Sequence, residues 1–211
     1  MSTNAQVQKS SPNRLQRIVR LLGSLLDPRA WLHLVKIVNY YNYSHVAPLR
    51  QVRFAGPGNV SPDAVFQNPE RIIIGQRVRI GSRCHLWAGP AEGRICLGDD
   101  VLFAPDVLIT AASYRHDLGH PVTDQPMAEG DVIIGNDVWL ATRAVILPGT
   151  TIGDGSIVAA GAVVKGVFPP MSIIAGAPAR VVSERIIADQ ATATPAEAGL
   201  QSGFDATGNP G

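Results

Sequence analysis

The stretch IGNDVWLATRAVILPGTTIGDGSIVAAGAVV, residues 134–164, decides the fold. Within it Ile134, Leu140, Ile146, Ile152, Val158 and Val164 recur every six positions. Four places after each of the first five stands a small or β-branched residue: Val138, Ala144, Thr150, Ser156 and Ala162. A helix repeats its apolar residues at three to four positions and a half-buried strand at two, so neither produces this spacing. A period of six marks a chain that turns a corner every six residues. The residue two places before each aliphatic position shares its face, as strand alternation requires. Three such sides close a triangular coil, and stacked coils bury a continuous core that no single coil could bury alone. The pattern predicts a parallel β-helix.

Outward from that run the same lattice continues upstream through Leu97, Phe103 and Ile109, then Ile74, Ile80 and Leu86, then Phe54, Val60 and Phe66. It slips by two residues after Phe66 and by five after Leu86. Both slips coincide with turn-forming clusters, Asn68-Pro69 and Gly89-Pro90, and read as corner bulges or short loops. The third slip is larger: Ile134 follows Ile109 by 25 positions where six would keep the lattice, so 19 residues leave the triangle and return. An excursion of that length in a regular fold is usually functional. It holds Tyr114, Arg115, His116, Asp117, His120, Asp124 and Glu129, the densest titratable group in the solenoid.

Before the lattice, residues 13–50 carry helical patterning, with Leu15, Ile18, Val19, Leu22, Leu25 and Leu26 at three- and four-residue steps. Asp27-Pro28 breaks the run and starts a second helix, Asp at the cap and Pro in the first turn, with Trp31, Leu34, Val35 and Val38 as its stripe. Two roles suit this pair. One is a cap over the open end of the solenoid, whose strand edges would otherwise be unpaired. The other is peripheral contact with anionic lipid through Arg14, Arg17, Arg20, Arg29 and Lys36. Residues 1–12 are expected to be disordered. The solenoid is placed at 51–182, with Ser172–Arg180 making a final turn. A short helix over Val181–Ile187 and a disordered Ala-, Thr-, Gly- and Pro-rich tail to 211 follow.

Bulk composition agrees with a narrow core: of 211 residues 45% are hydrophobic but only 6% aromatic. A net charge of +1 gives no reason to expect nucleic acid as a partner. Two cysteines, Cys84 and Cys96, are too few for a disulfide framework and suggest a reducing compartment. No apolar run approaches a membrane span and the Ser- and Gln-containing start does not read as a signal peptide, so the expected location is the cytoplasm.

Three motifs together, Ile134–Ala141, Ile146–Gly153 and Gly176-Ala177-Pro178-Ala179-Arg180, resemble the hexapeptide-repeat acyltransferases. More narrowly, they are similar to the branch that O-acetylates sugars, and Trp139-Leu140-Ala141-Thr142 is nearest to its colanic-acid-type members. The resemblance spans roughly residues 60–182. It implies a left-handed β-helix, an exception to the usual crossover hand. It also implies a homotrimer with each active site in the cleft between neighbouring solenoids, acetyl-CoA along that cleft as co-substrate, and a loop histidine as general base. No metal is implied.

Acetyl transfer from a thioester to a sugar hydroxyl needs a base for the hydroxyl proton, and imidazole suits because it exchanges a proton near neutral pH. The resemblance places His116 in that role, with His120, followed by Pro121, as competitor. Asp117 or Glu129 could orient the ring. The thioester oxygen becomes an oxyanion and needs a preorganised N–H, which the resemblance assigns to the backbone of Ala141. Thr142, Ala159 and Ala160 would line the pantetheine groove, and Lys165 and Arg180 would meet CoA phosphates. Relatives carry their Lys one position away from Lys165, and a one-residue shift reverses the facing of a strand side chain. Tyr114, Asp117, His120 and Trp139 would border the acceptor. Rival readings are a zinc enzyme using His85, His116 and His120, and a scaffolding β-helix. Within acyl transfer, the rivals are an amino-sugar amine or an antibiotic hydroxyl as acceptor.

Overall fold

The computed structural model describes residues 12–187. Its centre is a triangular prism of three parallel sheets, built as five complete coils and two sides of a sixth. The first face stacks Arg53–Phe54, Ile72–Ile74, Ile95–Leu97, Val132–Ile134, Thr151–Ile152 and Val167–Phe168. The second face begins at Asn59–Val60 and ends at Ser172–Gly176, and the third runs from Val65–Gln67 to Val163–Val164.

Lattice residues pair with lattice residues from coil to coil. On the first face the column runs Phe54, Ile74, Leu97, Ile134, Ile152, Phe168. From Phe66 onward the column residues are buried, while Phe54 at the lower end is 37% exposed. The small partners Val138, Ala144, Thr150, Ser156 and Ala162 are buried too. Two of them are polar and pay no desolvation penalty, because each hydroxyl finds a backbone partner. Thr150 Oγ1 donates to Leu147 O at 2.6 Å, and Ser156 Oγ donates to Pro169 O at 3.3 Å while accepting Ser172 N–H at 3.2 Å.

The corners explain the period. Asp137, Arg143, Gly149, Gly155 and Gly161 stand six apart with φ between 52° and 78°, the left-handed region, at the bends that carry the chain from one face to the next. At the corner between first and second faces the coils approach so closely that only glycine fits: a Cβ on Gly98 would lie 2.7 Å from Gly135 C, and one on Gly135 would lie 2.8 Å from Asp154 N. The residue after each glycine has its N–H satisfied from the next coil. Asp99 Oδ1 accepts Gln76 N–H at 2.7 Å, Asn136 Oδ1 accepts Asp99 N–H at 2.8 Å, and Asp154 Oδ1 accepts Asn136 N–H at 2.7 Å.

Both ends differ from the sequence expectation. Helices α1 (Arg14–Leu26) and α2 (Pro28–Tyr41) form as expected, the first with an Asn13–Gln16 capping box and the second with Asp27 capping Arg29 N–H. Neither buries a single residue, so they do not cap the solenoid. The cover over the first coil is the π-helical turn Asn42–Val46 and the short helix Ala47–Leu49, which bury Ser44, His45 and Pro48. His45 Nδ1 bonds Ala64 O at 2.7 Å and its ring leans on Phe66, a structural role for a histidine that had none in the sequence reading. At the other end Ala179–Glu184 is not a helix but a strand antiparallel to Ser172–Gly176, which covers the last open edge of the second face. The expected disorder at 1–11 and 188–211 lies outside the described residues.

Asn136→Ala leaves Asp99 N–H without its acceptor and is expected to cost about 1–2 kcal/mol. Gly135→Ala, which forces the coils apart, is expected to cost more. Thermal or urea unfolding of the two variants checks the order.

Candidate active site

Every slip of the lattice falls at one corner, between the third face and the first of the following coil. Residues 68–71, 88–94 and 111–131 leave the prism there in three successive coils, and Lys165-Gly166 shortens the same corner near the top. A core of fixed cross-section tolerates extra chain only outside the triangle, and here the extra chain is stacked into one ridge.

The 19-residue excursion is a hairpin. Ala112–Tyr114 pairs antiparallel with Met127–Glu129, Ala112 opposite Glu129 and Tyr114 opposite Met127. Arg115 N–H closes a further rung on Pro126 O at 3.2 Å. His116 follows that rung directly and is exposed. His120 lies further out in a tip braced by buried Gln125, whose Nε2 donates to His120 O at 2.8 Å and whose Oε1 accepts Leu118 N–H at 3.3 Å. The ladder therefore fixes the chain at His116 more closely than at His120.

Neither acid expected to orient the imidazole is free to do so. Asp117 is paired with Arg115 through Nε at 3.0 Å and Nη2 at 2.8 Å. Those bonds hold its carboxyl below the ordinary value, with His116 adding a weaker pull. Glu129 is committed elsewhere: its carboxylate accepts the N–H groups of Ala91, Glu92 and Gly93 at 2.9, 2.5 and 2.6 Å. Burial pushes the Glu129 carboxyl up, but the three N–H donors outweigh it and leave it below its ordinary value.

Arg71 completes this clamp by donating to Gly93 O at 3.1 Å and to Gly89 O. Beside it opens a cavity of about 800 Å³, lined chiefly by Arg53, Arg71, Arg94, Glu92, Glu129 and Asp131. Arg53 and Arg94 make no side-chain ion pair among the described residues. Sequence reasoning missed this cavity, although the coincidence of its two flanking loops with lattice slips was a usable signal.

Four of the other expected site residues sit at a different corner, between second and third faces. Ala141 and Thr142 occupy it in one coil, Ala159 and Ala160 in the next. Ala141 N–H is not available to an oxyanion, because it donates to Val158 O at 2.9 Å in the inter-coil ladder. Ala159 N–H is likewise spent, on Ile174 O at 2.8 Å. The N–H groups one residue on, of Thr142 and Ala160, have no acceptor among the described residues, and both residues are exposed. At this corner the unclaimed backbone N–H is therefore that of Thr142, one residue beyond the expected Ala141. Trp139 projects from the second face between Leu102 and Ile157, on the far side of the triangle from the hairpin's corner. Lys165 is exposed at the third–first corner, whereas Arg180 lies in the terminal strand on the second face, so the two do not meet in one chain.

Histidines 85, 116 and 120 do not gather: among the described residues no three His, Cys, Asp or Glu side chains form a metal-holding group. His85 faces out from the third face with Nε2 enclosed and unpartnered among the described residues, and burial pushes its pKa down.

The bacterial transferase hexapeptide (six repeats) family matches residues 131–166. A probable macrolide acetyltransferase of Lysinibacillus sphaericus is 33% identical over 131 residues, covering 59% of this chain and 71% of that protein. The chain belongs to the hexapeptide-repeat acetyltransferases. Galactoside O-acetyltransferase of Escherichia coli K12 is 39% identical over 95 residues, 43% of this chain and 44% of that one. A putative lipopolysaccharide biosynthesis O-acetyl transferase of the same organism is 35% identical over 121 residues, 54% of this chain and 60% of that one. The chain thus spans about half the length of these two relatives. A solved galactoside acetyltransferase in complex with coenzyme A superposes with a TM-score of 0.57 at 28% identity, covering 72% of this chain and 79% of that one.

The clamp makes a prediction. Because the Glu129 carboxyl is lowered in the fold, its contribution is present above the ordinary Glu pKa and is lost as pH falls through the lower folded value. Glu129→Ala is expected to reduce hydrogen-exchange protection of the Ala91, Glu92 and Gly93 amides by about 10- to 100-fold, in line with charge-assisted bonds worth about 1.5–3 kcal/mol. Wild-type protection should fall toward that of the variant only on the acid side.

Proposed function

We propose that this protein is an acetyl-CoA-dependent O-acetyltransferase that acylates a sugar hydroxyl, with a precursor of a cell-surface polysaccharide as acceptor. One observation carries the reading. The hairpin histidine and the unclaimed Thr142 and Ala160 N–H groups stand at different corners of one prism. A second prism set against the first would bring one copy's His116 to the other's donors, so the active assembly is a homotrimer with its sites between neighbours. The second face offers Leu102, Trp139, Ile157 and Ile173 outward, and the third offers Val65, Leu108, Val145 and Val163, an apolar supply for such contacts.

In the transfer step His116 accepts the acceptor hydroxyl's proton as its oxygen bonds the acetyl carbonyl carbon. Thr142 N–H donates to the oxyanion that forms on the acetyl carbonyl. Collapse breaks the C–S bond, CoA leaves as thiolate, and the imidazolium returns the proton to it. Ala160 N–H and the small surfaces of Ala159 and Ala141 border the pantetheine arm, with Lys165 and Arg180 from two copies serving the phosphates. The cavity beside Arg53 and Arg94 suits the remote part of a polyhydroxylated acceptor. Guanidinium donors and the Glu92 and Asp131 carboxylates match sugar hydroxyls, and Ile73 matches a C–H face.

The polysaccharide assignment draws on the relative named for lipopolysaccharide biosynthesis. A second reading, transfer to an antibiotic hydroxyl, is favoured by the macrolide relative, of which the chain covers 71%. An acceptor screen with labelled acetyl-CoA, pairing oligosaccharide repeat units with macrolides, separates the two.

His116→Ala is expected to abolish transfer while CoA binding and assembly mass stay as in wild type; activity near wild type would move the base to His120. Thr142→Pro, which deletes the N–H, should lower kcat by about 10²–10³, whereas Thr142→Ala keeps the N–H and should retain most of it. Equal loss in both would remove the backbone donor from the mechanism.

A further inference from the structure

Helices α1 and α2 are amphipathic and unpartnered. Leu15, Ile18, Val19, Leu22, Leu25 and Leu26 fall on one side of α1, and at 3.6 residues per turn Arg17 and Arg20 fall on the other. In α2 the side bearing Arg29, His33 and Lys36 opposes Trp31, Leu34, Val35 and Val38. All of these apolar residues are exposed, from 47% at Leu34 to 84% at Leu26. A monomer's largest apolar patch is about 300–600 Å², and an unbroken double stripe of this kind calls for a partner.

The solenoid is not that partner, since neither helix buries a residue. Charge points to what is. Between residues 12 and 50 the one acid is Asp27, and it is spent on the α2 N-cap. Arg14, Arg17, Arg20, Arg29 and Lys36 make no ion pair among the described residues. The aromatic residues fit the same destination. Trp31 Nε1 donates to Leu25 O at 2.9 Å, which ties the two helices together and leaves an exposed indole with no polar need. Tyr40, Tyr41 and Tyr43 make an exposed edge-to-face cluster where α2 ends. Apolar stripes bordered by cations, with Trp and Tyr at the margins, match the boundary between anionic headgroups and acyl chains. Among the described residues no helix is long and apolar enough to cross a bilayer, so both would lie in its plane.

We propose that α1 and α2 form a monotopic anchor that lays this protein on an anionic lipid surface. Their apolar stripes sit in the acyl boundary, and Arg14, Arg17, Arg20, Arg29 and Lys36 sit among the phosphates. The anchor is independent of the transfer chemistry and stands or falls without it.

Sedimentation of the full chain with vesicles of phosphatidylcholine, alone or mixed with phosphatidylglycerol, tests this, with assembly mass measured by light scattering. Binding is expected to be at least about tenfold tighter to the mixed vesicles, and weaker as salt is raised. Arg17→Glu with Arg20→Glu should erase the preference for phosphatidylglycerol, and Leu22→Gln with Leu25→Gln should abolish binding to both. All four positions are on a helix that buries nothing, so the prism should stay folded in each variant. Wild-type protein that ignores both vesicle types overturns the proposal. If the leucine variant then lowers the assembly mass, the stripe is a contact between copies; if the mass is unchanged, it is neither.

Discussion

The parallel hydrogen-bond ladder between successive coils is the constraint on which the molecule depends. Most of its strands are two or three residues long and have no partner within their own coil. Each coil can satisfy its backbone only through the coils above and below. The ladder therefore demands coils of equal circumference, and the six-residue spacing is the sequence's way of meeting that demand. The glycine column at Gly98 and Gly135 and the side-chain relay through Asp99, Asn136 and Asp154 serve the same end. They let corners approach and supply acceptors where the turning backbone cannot.

The same constraint dictates where specialised chemistry can be placed. Chain added within a face would shift the register and turn side chains to the wrong side. Chain added at a corner leaves both neighbouring faces intact. Three successive insertions use one corner, and Glu129 and Arg71 bind all three together. The opposite contribution comes from a corner with no insertion at all. Thr142 and Ala160 offer N–H groups there, each following a residue whose own N–H is spent on the ladder. The corner thus yields a spare donor in these two coils, whereas Pro105 takes the same place in the coil below and has no N–H to offer.

Much of this was legible in the residues. The lattice from Phe66 to Val164 marked the buried positions, and the large slip after Ile109 marked the hairpin. Asp27-Pro28 marked the start of α2. Errors cluster where a local pattern has two outlets. Val181–Glu184 could have been helix or strand, and the unpaired edge of Ser172–Gly176 made it strand. The apolar stripes of α1 and α2 are what a cap requires, yet Asn42–Leu49 covers the first coil and leaves them outside. Glu129 looked like a partner for His116 because both belong to the excursion, but a hairpin separates its arms' ends from its tip.

By itself the sequence determined the period, the inward residues, the corner that holds the excursion and the family. These follow from spacing, and spacing is written along the chain. Only the tertiary structure decided which N–H groups remain unclaimed, what Glu129 binds, and that His116 and Thr142 stand at separate corners. Those facts depend on residues brought together from different coils, where one ladder bond spends Ala141 and frees its neighbour.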